Sequence, residues 1–545
     1  MQGQLPTRAE RFAALGAPAR EFDLLVIGGG ITGCGIAREA AARGLSVALV
    51  EKNDFASGTS SRSSRLIHGG VRYLEHGQIH LVFESSAERR RLLRLAPHLV
   101  RPLAFTWPVY AGARIPRWKL GLGLTAYDAL ALFRNVRRHR RLSARGVLAR
   151  EPGLASDGLR GGALYYDAAT DDARLTLANA IGAAEMGAVV VNHASVRALE
   201  SLNGRIVGAR VDDQLTGESI DVRAAVVVNA TGPWSDTVRA LDQSATPPGA
   251  RKAVRGSKGT HIAIRRERIG NHDALTLLSP MDGRVMFVLP AGEFAIVGTT
   301  DTFTTSSPDD VRATAEDVSY LLATANQFFP AAKLAASDVV AAWAGIRPLL
   351  PSSRETPGAA SREHAVTVSG TGLVSITGGK LTTYRVMAAD VLRVVLRALG
   401  RATGSAHVAR LPGGDIPSYE QVVADISHET DDASLSEHLA ASYGSRWPRV
   451  LSEITTDGGD ARLVNGLPYT TGELRYCVRN EMALTLGDLL IRRTKLAFDT
   501  PDHGASIAER VAAVVAEPLG WDAPTQRASV AAYAKEVQRI FSIEP

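Results

Sequence analysis

The sequence predicts an α/β chain: a parallel, Rossmann-like nucleotide-binding sheet carrying an inserted α+β portion, followed by a helical C-terminal domain. Three observations carry this. Residues 23–28 (DLLVIG), 31–43 (ITGCGIAREAAAR) and 45–51 (LSVALVE) read as strand, helix and strand. Buried parallel strands are continuous apolar runs, and such a βαβ unit takes about thirty residues. Similar α/β pieces recur at 173–191, 224–229 and 372–399, and helical periodicity alone prevails after about residue 405.

Taken in order, residues 1–20 form an N-terminal tail without the apolar stretch of a signal peptide. The oxidoreductase-type α/β domain then occupies 21–404. Within it ARLTLANAIGAAEMG leads into AVVV, AAVVVN (224–229) runs into ATGPW, and GLVSIT (372–377) enters GGK and a long helix to about 399. Two intervening stretches, 91–165 and 251–342, carry strand-like segments such as HIAI, RVMFVLP and FAIVGTT and are read as an inserted substrate portion. The loop-like RATGSAHVARLPGGDIPS closes the α/β pattern. Residues 405–545 make a separate helical domain, with helices expected over 420–443, 474–498 and 505–542.

Composition excludes several classes. The chain is 45% apolar and 22% charged, as for a globular protein, and 62 bases against 56 acids give a net charge of only +6. Two cysteines, Cys34 and Cys477, make no metal-ligand spacing and no disulfide framework. Cys34 is read as structural. The one basic run, RNVRRHRRLSAR (134–145), lacks the interleaved aromatic residues of a nucleic-acid module, and no calcium-binding loop is present. Residues 115–133 are apolar enough to raise a membrane span. Arg117, Lys119 and Asp128 would each cost roughly 2.5–3.5 kcal/mol at the bilayer centre, so the segment is not read as one.

Gly28, Gly30 and Gly33 form GxGxxG between strand and helix, which lets a pyrophosphate approach the backbone at a helix N-terminus. Glu51 closes the second strand, where a carboxylate accepts from ribose hydroxyls. The fingerprint alone does not separate FAD from NAD. The hydroxyl-rich segment beginning TSSRSS (59–64), including Thr59, Ser60 and Ser64, favours FAD, because it stands just after Glu51 where phosphates and flavin would be wrapped.

These motifs resemble a known family. The run GGGITGCGIAREAAARGLSVALVEKNDFASGTSSRSSRLIHGGVRYLEHG looks like the N-terminal signature of FAD-dependent, quinone-linked glycerol-3-phosphate dehydrogenases. So do DDARLTLANA (171–180), VNATGPW (228–234), GTTD (298–301), AGIRPLL (344–350), GGKLTTYR (378–385) and the C-terminal LRYCVRNEMALTLGDLLIRRTKLAF (474–498). The resemblance implies a glutathione-reductase-type FAD fold, oxidation of glycerol 3-phosphate to dihydroxyacetone phosphate, and delivery of electrons to a membrane quinone. A glycerol-3-phosphate oxidase using oxygen is the alternative. It also implies a bacterial protein in the cytoplasm, held peripherally at the inner face of the cell membrane; a homodimer is possible.

The resemblance further implies that Arg72 and Arg347 hold the substrate phosphate or align the glycerol backbone, with Tyr73 nearby. Arginine suits that task through its bidentate fork. Two histidines compete as the base: His68, between an apolar pair and two glycines, and His261, after GSKGT. Gly378, Gly379 and Lys380 are expected to open the long helix and stabilise charge on the flavin, with Thr382 in hydrogen-bond reach. Leu66, His68 and Lys380 are expected at the cofactor too. Thr231 and Gly232 resemble a second cofactor-contacting turn, and Val196 is expected beside adenine. For the membrane contact, Trp118, Tyr127 and Phe133 ahead of the basic run 134–145 are the candidates.

Overall fold

The computed structural model describes residues 5–18, 20–71, 77–131, 135–245, 251–351, 362–402, 409–456 and 458–545. Two large sheets organise it. The first runs in the order His364–Val368, Val374–Gly378, Ser219–Asn229, Phe22–Ile27, Val47–Val50, Val189–Val191. All neighbours are parallel except the His364–Val368 edge, which is antiparallel. Leu24 pairs with Val47 on one side and Val226 on the other, and this central strand is apolar save for Asp23 because both faces of the sheet are covered. Helices Ile31–Ala41, Asp172–Glu185 and Tyr384–Ala398 pack together on one face.

The second sheet has ten strands, drawn from 66–67, 100–170 and 255–349. Its long neighbours Arg255–Arg265 and Val339–Leu349 pair antiparallel, with Ser257 opposite Arg347 and His261 opposite Trp343. This register puts Arg347, Gly259 and His261 on one face, because side chains alternate along a strand. That face lines a cavity.

Several elements differ from the sequence expectation. Residues 1–20 include a helix, Arg8–Leu15, capped by Thr7 and Glu10, with Phe12 and Leu15 buried. The capping box T-x-x-E signals this start. The helix expected directly after Gly378 begins only at Tyr384, after a short turn at Leu381–Thr383. Each long C-terminal helix is divided. The 420–443 pattern breaks at Asp431 (φ 49°), after which Asp432 caps a new helix at Ala433. The 505–542 pattern breaks at Gly520 (φ 66°), and Asp522 caps Ala523–Phe541. A left-handed residue stops each helix and the side chain of a capping aspartate starts the next.

The helical domain is fixed to the sheets by buried charge. Arg174 donates two hydrogen bonds to Glu481, at 2.7 and 2.8 Å. Asp54 accepts from Arg492 Nε at 2.8 Å and from Arg493 Nη1 at 2.6 Å. Trp343 of the second sheet meets Phe498 edge to face at 5.1 Å. Among the described residues, no helix is long and apolar enough to cross a membrane.

Candidate active site

Two contiguous cavities lie between the sheets. The outer one, about 430 Å³, is lined by Gly28, Gly30, Glu51, Val196, Thr231 and Gly232. The inner one, about 550 Å³, is lined by Ser64, Leu66, His68, His261, Arg347 and Thr382. Thr59, Ser60, Gly379 and Lys380 border both and mark the junction.

The outer cavity is built by the glycine turn. A Cβ on Gly33 would stand 1.9 Å from the Gly28 carbonyl oxygen, so the helix can approach the strand only without a side chain there. Glu51 folds back on the turn: its Oε2 accepts from Gly29 N–H at 2.6 Å and its Oε1 from Asn53 N–H at 2.9 Å. Burial raises its pKa against the pull of these two amides. Ser60 Oγ accepts from Ile31 N–H at 3.0 Å, at the helix N-terminus, and Thr231 Oγ1 donates to Asn229 at 2.7 Å. A bare glycine cradle at a helix start, with a carboxylate across from it, fits the pyrophosphate and ribose of a dinucleotide. The remainder of FAD would extend past Thr59 and Ser60 toward Lys380. Cys34 is buried below, its thiol 3.3 Å from the Gly29 carbonyl; burial pushes that thiol up.

The inner cavity concentrates cations. Arg347 Nη1 donates to Asp301 Oδ1 at 3.0 Å and its Nη2 to Thr299 Oγ1 at 3.0 Å. Gly259 makes room for this guanidinium, which lies within 2.6 Å of where a Cβ would stand. Arg362 reaches the other oxygen of Asp301 at 3.4 Å. Two guanidiniums thus share one carboxylate and leave positive charge at the wall. Lys380 is nearby, its ammonium donating to Ser85 Oγ. Burial pushes its pKa down to about 7, partly opposed by Glu84.

The histidines stand differently. His261 Nε2 lies 2.9 Å from Ser64 Oγ, and its ring stacks on Trp343 at 5.7 Å. Burial first, then the charges of Arg347 and Arg65, push its pKa down to about 3, so it is neutral at any working pH. Its Nδ1 finds no hydrogen-bond partner among the described residues. His68 lines the same cavity, and its carbonyl accepts from Thr382 Oγ1 at 3.4 Å. Behind it, Asp167 accepts from Gly69 N–H at 3.0 Å and from Tyr127 OH at 2.7 Å, fixing the backbone that carries His68.

Every candidate that falls within the described residues borders one or both of these cavities, except Gly33, which stands behind the turn. Arg72 and Tyr73 lie outside the described residues. Sequence reasoning missed Arg362, which follows a Pro-, Ser- and Gly-rich stretch where a lone arginine reads as a solvated charge, yet it is 7% exposed. It also assigned no role to Asp301, although the GTTD motif contains it.

Residues 23–385 match the model of the FAD dependent oxidoreductase family, and residues 405–526 match the C-terminal domain of alpha-glycerophosphate oxidase. The chain is 39% identical over 541 residues to glycerol-3-phosphate dehydrogenase 2 of Mycobacterium bovis, covering 97% of this chain and 90% of that one. The chain belongs to the FAD-dependent glycerol-3-phosphate dehydrogenase family. The aerobic glycerol-3-phosphate dehydrogenase of Staphylococcus saprophyticus is 36% identical, with 95% and 94% of the two chains covered. Among solved structures, the glycerol-3-phosphate dehydrogenase of Bacillus halodurans complexed with FAD superposes with a TM-score of 0.79 at 32% identity, covering 98% and 97%. FAD is therefore the cofactor. The Rossmann-like FAD fold and the helical C-terminal domain expected from the sequence are both present in this member of the dehydrogenase family.

Proposed function

We propose that the protein oxidises sn-glycerol 3-phosphate to dihydroxyacetone phosphate and passes the electrons to a quinone in the membrane. The observation that carries the substrate is the Arg347–Asp301–Arg362 corner, on the cavity wall shared with His261 and Lys380. A phosphate dianion is best held by planar guanidiniums, and two of them facing one carboxylate can turn part of their hydrogen bonding to an incoming anion. Bound FAD supplies the hydride acceptor for the secondary alcohol carbon. The protein's own task is to hold the phosphate, orient the hydroxyl and take its proton.

For the proton we assign Lys380. A base works best with a pKa near the working pH, and Lys380 meets this while His261 does not. His261, neutral and held by Ser64 at 2.9 Å, lines the cavity without serving as the base. His68 then orients the substrate. Lys380 is protonated below pH 7 and neutral above it. kcat/KM is therefore expected to rise about tenfold per pH unit up to about pH 7 and level off beyond, a limb that Lys380→Met removes. If the limb survives in Lys380→Met and vanishes in His68→Gln, the proton goes to His68 instead.

The quinone reading requires a membrane surface. Of the aromatic anchors expected, Tyr127 is wrong: it is 1% exposed and bonded to Asp167 in the core. Phe133 and Arg134 lie outside the described residues. Trp118 is 65% and Leu122 60% exposed, one turn apart on helix Arg117–Leu130. The neighbouring helix Ile79–Leu95 exposes Ile79 and Phe83 with the same spacing. Arg117 donates to the carbonyl of Leu142, which ties the basic strand Arg140–Leu142 to this apolar pair. Apolar residues ringed by arginines suit an anionic leaflet, at about 1 kcal/mol per basic residue.

The test is anaerobic addition of glycerol 3-phosphate to the flavin-loaded protein. Its oxidised absorbance should bleach and recover faster with quinone in anionic liposomes than with air. Trp118→Glu with Leu122→Glu should slow recovery from liposomes and leave recovery by a soluble quinone intact. Equal recovery by air favours the oxidase, and no bleaching removes the substrate.

A further inference from the structure

The adenosine end of the FAD cleft is enclosed by a belt of charged contacts that passes through the C-terminal helical domain. Both ends of the belt stand within three residues of Glu51. It begins at Asp54, whose Oδ2 accepts from Arg492 Nε at 2.8 Å. Arg492 Nη1 donates to Glu536 Oε1 at 2.8 Å, and the same oxygen is 3.7 Å from Arg539 Nη2. Arg539 Nη1 donates to the carbonyl of Asp309 at 3.3 Å. The Asp309 carboxylate then accepts from Lys52 Nζ at 2.6 Å and from Trp234 Nε1 at 3.0 Å. Lys52, Trp234 and the segment Ser307, Pro308 and Asp309 line the cleft itself.

A second tie follows a few residues on. The chain's last strand, Ile543–Glu544, pairs in parallel with Ala313–Thr314, at the far end of the loop that carries Asp309. Helix Ala523–Phe541 contributes both Glu536 and Arg539, so the C-terminal end of the chain holds the 307–309 segment from two sides. Although burial works against it, hydrogen bonds from Lys52 and Trp234 and the charge of Arg539 hold the Asp309 carboxyl below its usual range. Half-exposed ion pairs contribute little singly, but a network anchored at the fully buried Asp54 constrains geometry across its length.

We propose that the C-terminal helical domain retains FAD by clamping the 307–309 segment across the adenosine end of its cleft. Arg539 and the Ile543–Glu544 strand act as positioning elements outside the cavity. The test is the rate of FAD release from the holoenzyme after dilution, followed by flavin fluorescence. It is run on the parent, on Arg539→Gln, on Arg539→Lys, and on a chain ending at Ser542. Release should be about tenfold faster in Arg539→Gln and in the shortened chain, and closer to the parent in Arg539→Lys. The flavin absorbance bands should be unchanged, because the flavin end is untouched. Release within twofold of the parent in both Arg539→Gln and the shortened chain overturns the proposal. So does faster release with shifted flavin bands, which would signal a general loosening of the fold.

Discussion

Arg347→Met is expected to lower kcat/KM for glycerol 3-phosphate by about 10²–10⁴, because truncating one partner of a buried charged pair costs about 2–5 kcal/mol or more. Two effects add. The substrate phosphate loses a bidentate partner, and the Asp301 carboxylate loses one of the two guanidiniums that balance its charge, keeping Arg362 at 3.4 Å and the Ser257 hydroxyl. Arg347→Lys should recover only part of the loss, since an ammonium cannot reach Asp301 and Thr299 together as the guanidinium does at 3.0 Å to each. Flavin content should stay at the parent level, because Arg347 is no part of the glycine turn, Glu51 and Thr231 that line the outer cavity. Steady-state kinetics together with flavin absorbance separate the two effects. A variant that keeps its flavin and its activity would remove the phosphate corner from the site.

The second large effect is expected at Gly33. A methyl group there overlaps the Gly28 carbonyl oxygen at 1.9 Å, a backbone atom that cannot move aside as a side chain would. Steric insertions of this kind belong to the class costing about 4 kcal/mol or more. Gly33→Ala should therefore bind FAD about 10³-fold more weakly and purify without colour. Gly44→Ala makes a control for glycine replacement, since a Cβ there meets nothing within 4 Å and only its φ of 76° resists. Titration of each purified variant with FAD, read by flavin fluorescence, gives the comparison. Full flavin occupancy in Gly33→Ala would mean that the turn opens without penalty.

The cofactor end was legible in the sequence because its signals are local. A strand, a glycine turn, a helix and a carboxylate follow one another within thirty residues, and each obeys a backbone constraint independent of the remaining chain. The hydroxyl-rich segment was legible in position and only partly in purpose. Thr59 donates to the Ile346 carbonyl at 2.6 Å and Ser63 to Asp172 at 2.6 Å, so these hydroxyls also lash the loop to the second sheet and to helix Asp172–Glu185. The substrate corner was harder to see. Arg347 was marked by its motif, but Arg362 and Asp301 meet it from 15 and 46 positions away, through strand pairing that no local pattern records.

The surface shows the same division. Tyr127 and Trp118 stand on one helix and look equivalent in the sequence as aromatic anchors. One turns inward to Asp167 and the other outward, and only the packing of that helix on its neighbours decides which. Our assignment of the proton acceptor rests on the same level. A lysine and two histidines are chemically eligible in any chain, but the burial that brings Lys380 to about 7 and His261 to about 3 exists only once the sheets close around them. By itself the sequence determined the nucleotide-binding unit, its cofactor class and the helical C-terminal domain, because periodicity, turn chemistry and glycine spacing are properties of neighbouring residues. The tertiary structure alone decided the cation corner, the titration of the site and the belt from Asp54 to Asp309, because charge and desolvation depend on distances between segments far apart in the chain.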